Sequence, residues 1–233
     1  MHTLTPLVFR NGITDYANFT EYLINLRNTA QEFLQEQSSA ISYAPTMAAF
    51  LAITLSFLIG SIPISWLIGK IKYNIDLRTF GDGNVGAGNL QRATGLKIGI
   101  FAIIADLAKG GLAIGLSLLL DTTDWVIMAA GTAAVIGHIL PPWLKFRGGR
   151  GAATALGVAV GIVPIPGAIM LLIGLLMMLF IKKTLPSIAI SVICVIGLSL
   201  ILSEPTKYII FLIILFIAVG LKDGIDRLKK APK

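Results

Sequence analysis

The sequence predicts an all-α, polytopic integral membrane protein of about seven short transmembrane helices. Three observations predict it. Of its 233 residues 55% are hydrophobic and only 13% charged, with a mean hydropathy of +0.84; a soluble domain carries about 25% charged residues. Apolar runs approaching the ~20 residues of a membrane span recur along most of the chain. Fifteen of the 19 Lys and Arg residues gather in four places between or after those runs: 70–97, 143–150, 182–183 and 222–233.

Residues 1–45 form a polar N-terminal extension. Within it Phe19, Tyr22, Leu23, Leu26, Ala30, Phe33 and Leu34 recur at helical spacing, which predicts an amphipathic helix over 17–36. No continuous apolar core occurs in the first 40 residues, so no cleavable signal is expected. Residues 46–228 form the membrane domain, and 229–233 a basic tail. The spans expected are 46–69, 98–120, 125–142, 152–163, 166–181, 187–203 and 207–221. The run 152–181 is too long for one straight helix, and Pro164 and Pro166 divide it. Fewer full spans with one re-entrant pair is the alternative.

Seven segments put all four basic stretches on one side. The opposite loops, 121–124, 163–166 and 203–207, contain a single cation, Lys207. Cytoplasmic loops are the basic ones, so the N-terminus is expected outside and the C-terminus in the cytoplasm. The net charge of +7 therefore reads as topology and anionic ligands, not nucleic acid. The lone Cys194 excludes a disulfide or thiolate metal site within the chain.

Two basic, glycine-rich turns carry the chemistry. FGDGNVGAGNLQR (80–92) alternates four glycines with Asp82, Asn84 and Asn89 and closes on Arg92. Glycine lets a ligand approach the backbone, and successive amides in such turns form an anion-binding nest. Gly83 and Gly86 are its expected frame, Asn84 and Asn89 its amide donors, and Arg92 its bidentate phosphate grip. PPWLKFRGGRGAAT (141–154) threads Lys145, Arg147 and Arg150 between Gly148, Gly149 and Gly151 and runs into a helix, whose N-terminus favours an anion. Inside the spans, Asp106 and Lys109 share one helix face; they pair internally or face a polar cavity opened by Gly110–Gly111. His138 ends a span and orients a ligand or serves as a structural donor. Thr184 and Ser187 in the short loop 182–187, and Arg227 near the C-terminus, face the same compartment.

GSIPISWLIGK (60–70), DLRTFGDGNVGAGNLQR (76–92), DLAKGG (106–111), GHILPPWLKFRGGRGAAT (137–154) and TLPSI (184–188) resemble, in order, the motifs of the bacterial acyl-phosphate:glycerol-3-phosphate acyltransferase family, PlsY. The likeness spans residues 46–228. It implies a membrane enzyme that transfers a fatty acyl group from acyl phosphate to the 1-hydroxyl of glycerol 3-phosphate, giving lysophosphatidate, without acyl-CoA, cofactor or metal. Its setting would be the lipid bilayer of the cell membrane, with the active site at the cytoplasmic face and an acyl-phosphate-producing enzyme as a candidate partner.

Asp82, Asn84 and Arg92 are the expected catalytic residues. Gly83, Gly86, Asn89, Lys109, His138, Lys145, Arg147, Gly149, Arg150, Gly151, Thr184, Ser187 and Arg227 are the expected substrate-binding ones. Asp82 stands where the family usually has serine, and is a candidate general base beside the substrate phosphate itself. Leu221 and Gly224 stand where the family favours His and Asn. The departures leave open a phosphate- or lipid-binding membrane protein with no or altered turnover, and the broken short segments with intramembrane charge leave open an organic-anion transporter. A His-x4-Asp acyltransferase signature is excluded, because Trp143 follows His138 at that spacing.

Overall fold

The computed structural model describes residues 46–120, 122–181 and 184–228, together with Asn25, Asn28, Thr29, Gln31 and Glu32. The chain divides into two compact units, Met1–Met47 and Ala48–Lys233. In the first unit those five residues are helical and exposed, within the amphipathic stretch the sequence predicts. The apolar positions of that stretch lie outside the described residues, as do Lys182, Lys183 and the tail 229–233.

Among its described residues the second unit is built of helices joined by turns and irregular loops, with no strand. Helix α1 covers 46–61, α2 Ile64–Leu67, α3 Ala87–Thr94, α4 Leu96–Leu119, α5 Asp124–Ile139, α6 Ala152–Ile162, α7 Pro164–Ile181, α8 Thr184–Ile201 and α9 Thr206–Leu228. Each of the seven apolar segments expected has a helix. Among the described residues four stretches are long and apolar enough to cross a membrane: Thr46–Lys72, Leu96–Leu119, Asp124–Leu144 and Thr206–Asp226. Ala152–Ile162 is one of the shorter apolar helices. Val163 separates α6 from α7, and Pro164 opens α7 as its first residue, where its missing N–H costs nothing.

The first span departs from expectation. It breaks at Ile62–Pro63, because Pro63 offers no amide to the preceding turn. The chain resumes as α2 and ends in a π-helical turn, Ile68–Lys72.

Small residues set the distances between helices. A Cβ at Gly110 of α4 would strike the Thr154 carbonyl of α6, and one at Gly157 of α6 would strike the Leu107 carbonyl of α4. Gly60 of α1 and Gly137 of α5 make a second reciprocal pair, against the Ala134 and Phe57 carbonyls. Lipid offers apolar side chains as good a home as another helix does, so close backbone packing must hold such bundles. The expectation that Gly110–Gly111 opens a polar cavity is thereby corrected: Gly110 closes the α4–α6 contact. Ile114, Val158, Val163, Met170, Val195, Leu212 and Phe216 fill the core between α4 and α6–α9. Phe101, Ile104, Leu112, Ile193 and Ile214 point outward, as a surface facing lipid requires.

Gly157→Val inserts a branched side chain where α4 and α6 backbones touch. It should destabilise the protein by about 3 kcal/mol or more, read as a lowered thermal midpoint in detergent, while Gly197→Ala, at an unobstructed position, should leave it unchanged.

Candidate functional site

The first turn is held by its own side chains. Asp76 accepts hydrogen bonds from Trp66 Nε1 at 3.1 Å and from Arg78 Nε and Nη2 at 2.9 and 2.6 Å. Arg78 also lies over the Trp66 ring, 5.4 Å from its centre. The Arg78 hydrogen bonds hold the Asp76 carboxyl well below the usual carboxylate range.

Asn89 is 1% exposed. Its Nδ2 donates to the carbonyls of Leu77 and Phe80 at 3.1 and 2.8 Å, and its Oδ1 accepts from Arg92 Nη2 at 3.2 Å. Both amide hydrogens are spoken for, so Asn89 shapes the turn instead of donating to a ligand, contrary to expectation. The turn is also shorter than expected. Residues 87–94 form helix α3, because Ala87 and Leu90 fall three apart and bury together. Gly86 is its N-cap. Within this turn the left-handed glycines are Gly81 and Gly83, with φ of 57° and 62°, on either side of Asp82. Asn84 donates its amide to Asp82 Oδ1 at 3.2 Å.

The second turn follows α5. Pro142–Leu144 form one 3₁₀ turn, and Lys145 and Phe146, at φ of 53° and 59°, reverse the chain. Gly148 and Gly149 then lie back on the end of α5, donating to the carbonyls of Ile139 and His138 at 3.0 and 3.1 Å. A Cβ at Gly149 would fall on His138 Nε2. Gly151, at φ 85°, opens α6. These glycines serve close packing of the turn on the helix end. Lys145 and Arg147 project into the open, whereas Arg150 is half-buried.

The two turns meet at Asp82. Arg92 Nη2 lies 2.8 Å from Asp82 Oδ1, and Arg150 Nη2 lies 2.9 Å from Oδ2. Arg150 Nε also lies 2.7 Å from Asp223 Oδ1, on α9. Burial pushes the Asp82 carboxyl up, but the Asn84 amide and the Arg92 and Arg150 charges outweigh it and hold it below its ordinary value. An open cleft beside this cluster is lined by Arg78, Thr79, Gly81, Asp82, Gly83 and Arg92.

A buried polar group occupies the membrane part. Asp106 and Lys109 are 2% and 3% exposed. Lys109 Nζ lies 2.7 Å from Asp106 Oδ1 and donates to the Ile62 carbonyl at 2.6 Å, at the break between α1 and α2. His138 Nδ1 lies 3.6 Å from Asp106 Oδ1 and 3.2 Å from Thr154 Oγ1. Asp106, Lys109 and His138 share a narrow crevice with Gly60, Ser61 and Gly148. The internal pair is therefore what forms. Lys109 directs its charge to the Asp106 carboxylate and the Ile62 carbonyl.

Thr184 begins α8 and Ser187 lies within it, so the expected loop 182–187 is shorter; Arg227 lies on α9. The side chains of these three lie outside the described residues. Sequence reasoning missed Asp223. Its signal was a carboxylate in the last turns of an apolar helix, but nothing in the pattern named Arg150 as its partner. It also missed the His138–Asp106 approach, which only tertiary packing creates.

A family model described as glycerol-3-phosphate acyltransferase matches residues 50–231. Glycerol-3-phosphate acyltransferase 4 of Dehalococcoides mccartyi is 43% identical over 140 residues, 60% of this chain and 76% of that protein. The glycerol-3-phosphate acyltransferase of Myxococcus xanthus is 45% identical over 113 residues, 48% of this chain and 59% of that protein. Among solved structures, PlsY, an integral membrane glycerol 3-phosphate acyltransferase, aligns in its glycerol 3-phosphate form with a TM-score of 0.69 at 30% identity, covering 77% of this chain and 91% of that one. Its lysophosphatidic acid form aligns with a TM-score of 0.68 at 28% identity, with the same coverage.

Lys109→Met would leave the Asp106 carboxylate buried without its partner and should cost about 3 kcal/mol or more, read as a lowered thermal midpoint. The double variant with Asp106→Asn should recover part of that loss.

Proposed function

The chain belongs to the glycerol-3-phosphate acyltransferase family, and from that premise we propose that it transfers a fatty acyl group from acyl phosphate to the 1-hydroxyl of glycerol 3-phosphate, forming lysophosphatidate. The observation that carries this reading is the meeting of Arg92 and Arg150, 58 positions apart in the chain, on one carboxylate. Two guanidiniums converging on an oxyanion at a cleft suit phosphorylated substrates. The solved PlsY neighbours, in glycerol 3-phosphate and lysophosphatidic acid forms, are described with an acceptor and a product of this same reaction.

The donor is already activated. The acceptor oxygen attacks the acyl carbonyl carbon, the bond from that carbon to the phosphate oxygen breaks, and inorganic phosphate leaves with the electron pair. The protein's task is to position two anionic substrates and offset their charge. Arg92 and Arg150 grip phosphate, exposed Lys145 and Arg147 draw anions to the turn, and the Asn84 side chain with the amides around Gly86 donates to oxyanions, while the Gly83 amide is held by the Phe80 carbonyl at 2.8 Å. The proton of the attacking hydroxyl passes to a substrate phosphate. Asp82 is the weaker candidate base, because both its oxygens face guanidiniums and its carboxyl is held below its ordinary value. Thr184, Ser187 and Arg227 remain substrate-binding candidates at the same face.

The basic stretches favour a cytoplasmic site at the cell membrane, with the N-terminus outside. An enzyme that makes acyl phosphate would supply the donor. Binding without turnover is the second reading, favoured by Leu221 at the family's histidine position; a purified protein that binds glycerol 3-phosphate but releases no inorganic phosphate would select it.

In membranes given acyl phosphate and labelled glycerol 3-phosphate, Arg92→Ala and Arg150→Ala should each lower the rate of lysophosphatidate formation about a hundredfold or more. Rates equal to the parent would remove both assignments.

A further inference from the structure

This inference rests on the reading of Arg92 and Arg150 as the phosphate-binding pair. Both guanidiniums already hold an oxyanion. One Asp82 oxygen lies 2.8 Å from Arg92 Nη2 and the other 2.9 Å from Arg150 Nη2. Arg150 turns its Nε to the carboxylate of Asp223, 2.7 Å away. Two cations and two carboxylates sum to zero, so the cluster in this state offers an arriving anion little net attraction. A carboxylate with one guanidinium on each oxygen also has the arrangement a bound phosphate would adopt between the same two groups.

Asp82 differs from Asp223 in its freedom to leave. Asp223 lies on α9 and is 5% exposed. Asp82 lies on an irregular turn, its side chain is 28% exposed, and it forms part of the wall of the open cleft. On either side stand Gly81 and Gly83, both left-handed. Glycine passes between backbone basins more cheaply than any other residue, so these two positions are natural pivots for the residue between them.

We propose that Asp82 is a specificity-determining internal anion: it occupies the place between Arg92 and Arg150 that a phosphate dianion takes, and it yields to such a dianion but not to a monoanion. A tethered carboxylate acts at an effective concentration in the millimolar range or above. A dissolved monocarboxylate offers the same chemistry without the tether and loses the competition. A phosphate dianion brings more charge and three oxygens, enough to bridge both guanidiniums in place of the carboxylate. The displaced Asp82 turns out into the cleft about Gly81 and Gly83. The chain thereby discriminates by charge at a turn whose cations would otherwise accept any small anion.

The test uses the full chain purified in detergent at low salt, titrated calorimetrically with inorganic phosphate and separately with acetate. Asp82→Asn keeps the shape and removes the charge; Asp82→Ser is a smaller neutral replacement, so a folding fault in one leaves the other to decide. Phosphate should bind about tenfold tighter to the neutral variants than to the parent. Acetate should show no measurable affinity for the parent and bind the neutral variants detectably. In rate measurements the gain should appear as a lower KM for glycerol 3-phosphate, whatever happens to kcat. Phosphate binding that is unchanged or weaker in the folded variants would overturn the proposal, since Asp82 would then support the arginines instead of competing for them. If no protein transfers acyl groups yet phosphate still tightens on loss of Asp82, the proposed reaction fails and this inference stands. If the parent turns over normally and phosphate does not tighten, this inference alone fails.

Discussion

Lys109 sets its ammonium deep among the helices, 3% exposed, 2.7 Å from Asp106 and 2.6 Å from the carbonyl of Ile62. Three elements depend on that charge. The break at Pro63 takes carbonyls out of the regular helical ladder, that of Ile62 accepting only from the nearby Ile64 amide at 3.0 Å, and in a membrane such groups need further donors within the protein. Lys109 supplies it from α4. Asp106 neutralises the ammonium, and His138 of α5 draws up to Asp106 with Thr154 of α6 behind it. One ion pair thus ties the break in the first span to three other helices.

The polar turns are positioned from this base. His138 is the last residue but one of α5, and its carbonyl receives the Gly149 amide. Arg150 follows directly. The register of the second turn, and the reach of its guanidinium towards Asp82, therefore descend from the packing of α5 on α4 and α1. The first turn is braced on its own terms, by Asp76 with Trp66 and Arg78 and by Asn89 beneath. Two separately braced turns then meet through one contact, at Asp82. Trp143 stitches the second turn to the first span, donating to Ser61 Oγ at 2.9 Å.

What the sequence made legible follows from physics that acts locally. Apolar runs revealed the helices, and the proline pair near 164 revealed the joint between α6 and α7. Cations framed by glycine pointed to both turns. Three features stayed hidden for identifiable reasons. Helix α3 lies in a glycine- and asparagine-rich stretch with poor helix propensity, and tertiary burial of Leu90 and Ala87 overrides it. Asn89 looked like a ligand donor because residue type shows which hydrogens exist, not which carbonyls claim them. The role of Gly110, Gly148 and Gly149 depends on the atoms opposite them, and spacing alone does not distinguish a glycine that admits a ligand from one that admits another backbone.

The turn carrying Arg150 has a further aspect. Trp143 and Phe146 stand 62% and 61% exposed on it, beside Lys145 and Arg147, which are also exposed. Aromatic rings and cations side by side are the composition of a headgroup-depth anchor. A site moored at that depth meets an amphiphilic reactant by lateral diffusion within the leaflet, tail already immersed. The governing quantity for such an encounter is the reactant's mole fraction among the surrounding lipids, and its molarity in the surrounding water has little bearing on how often the two collide.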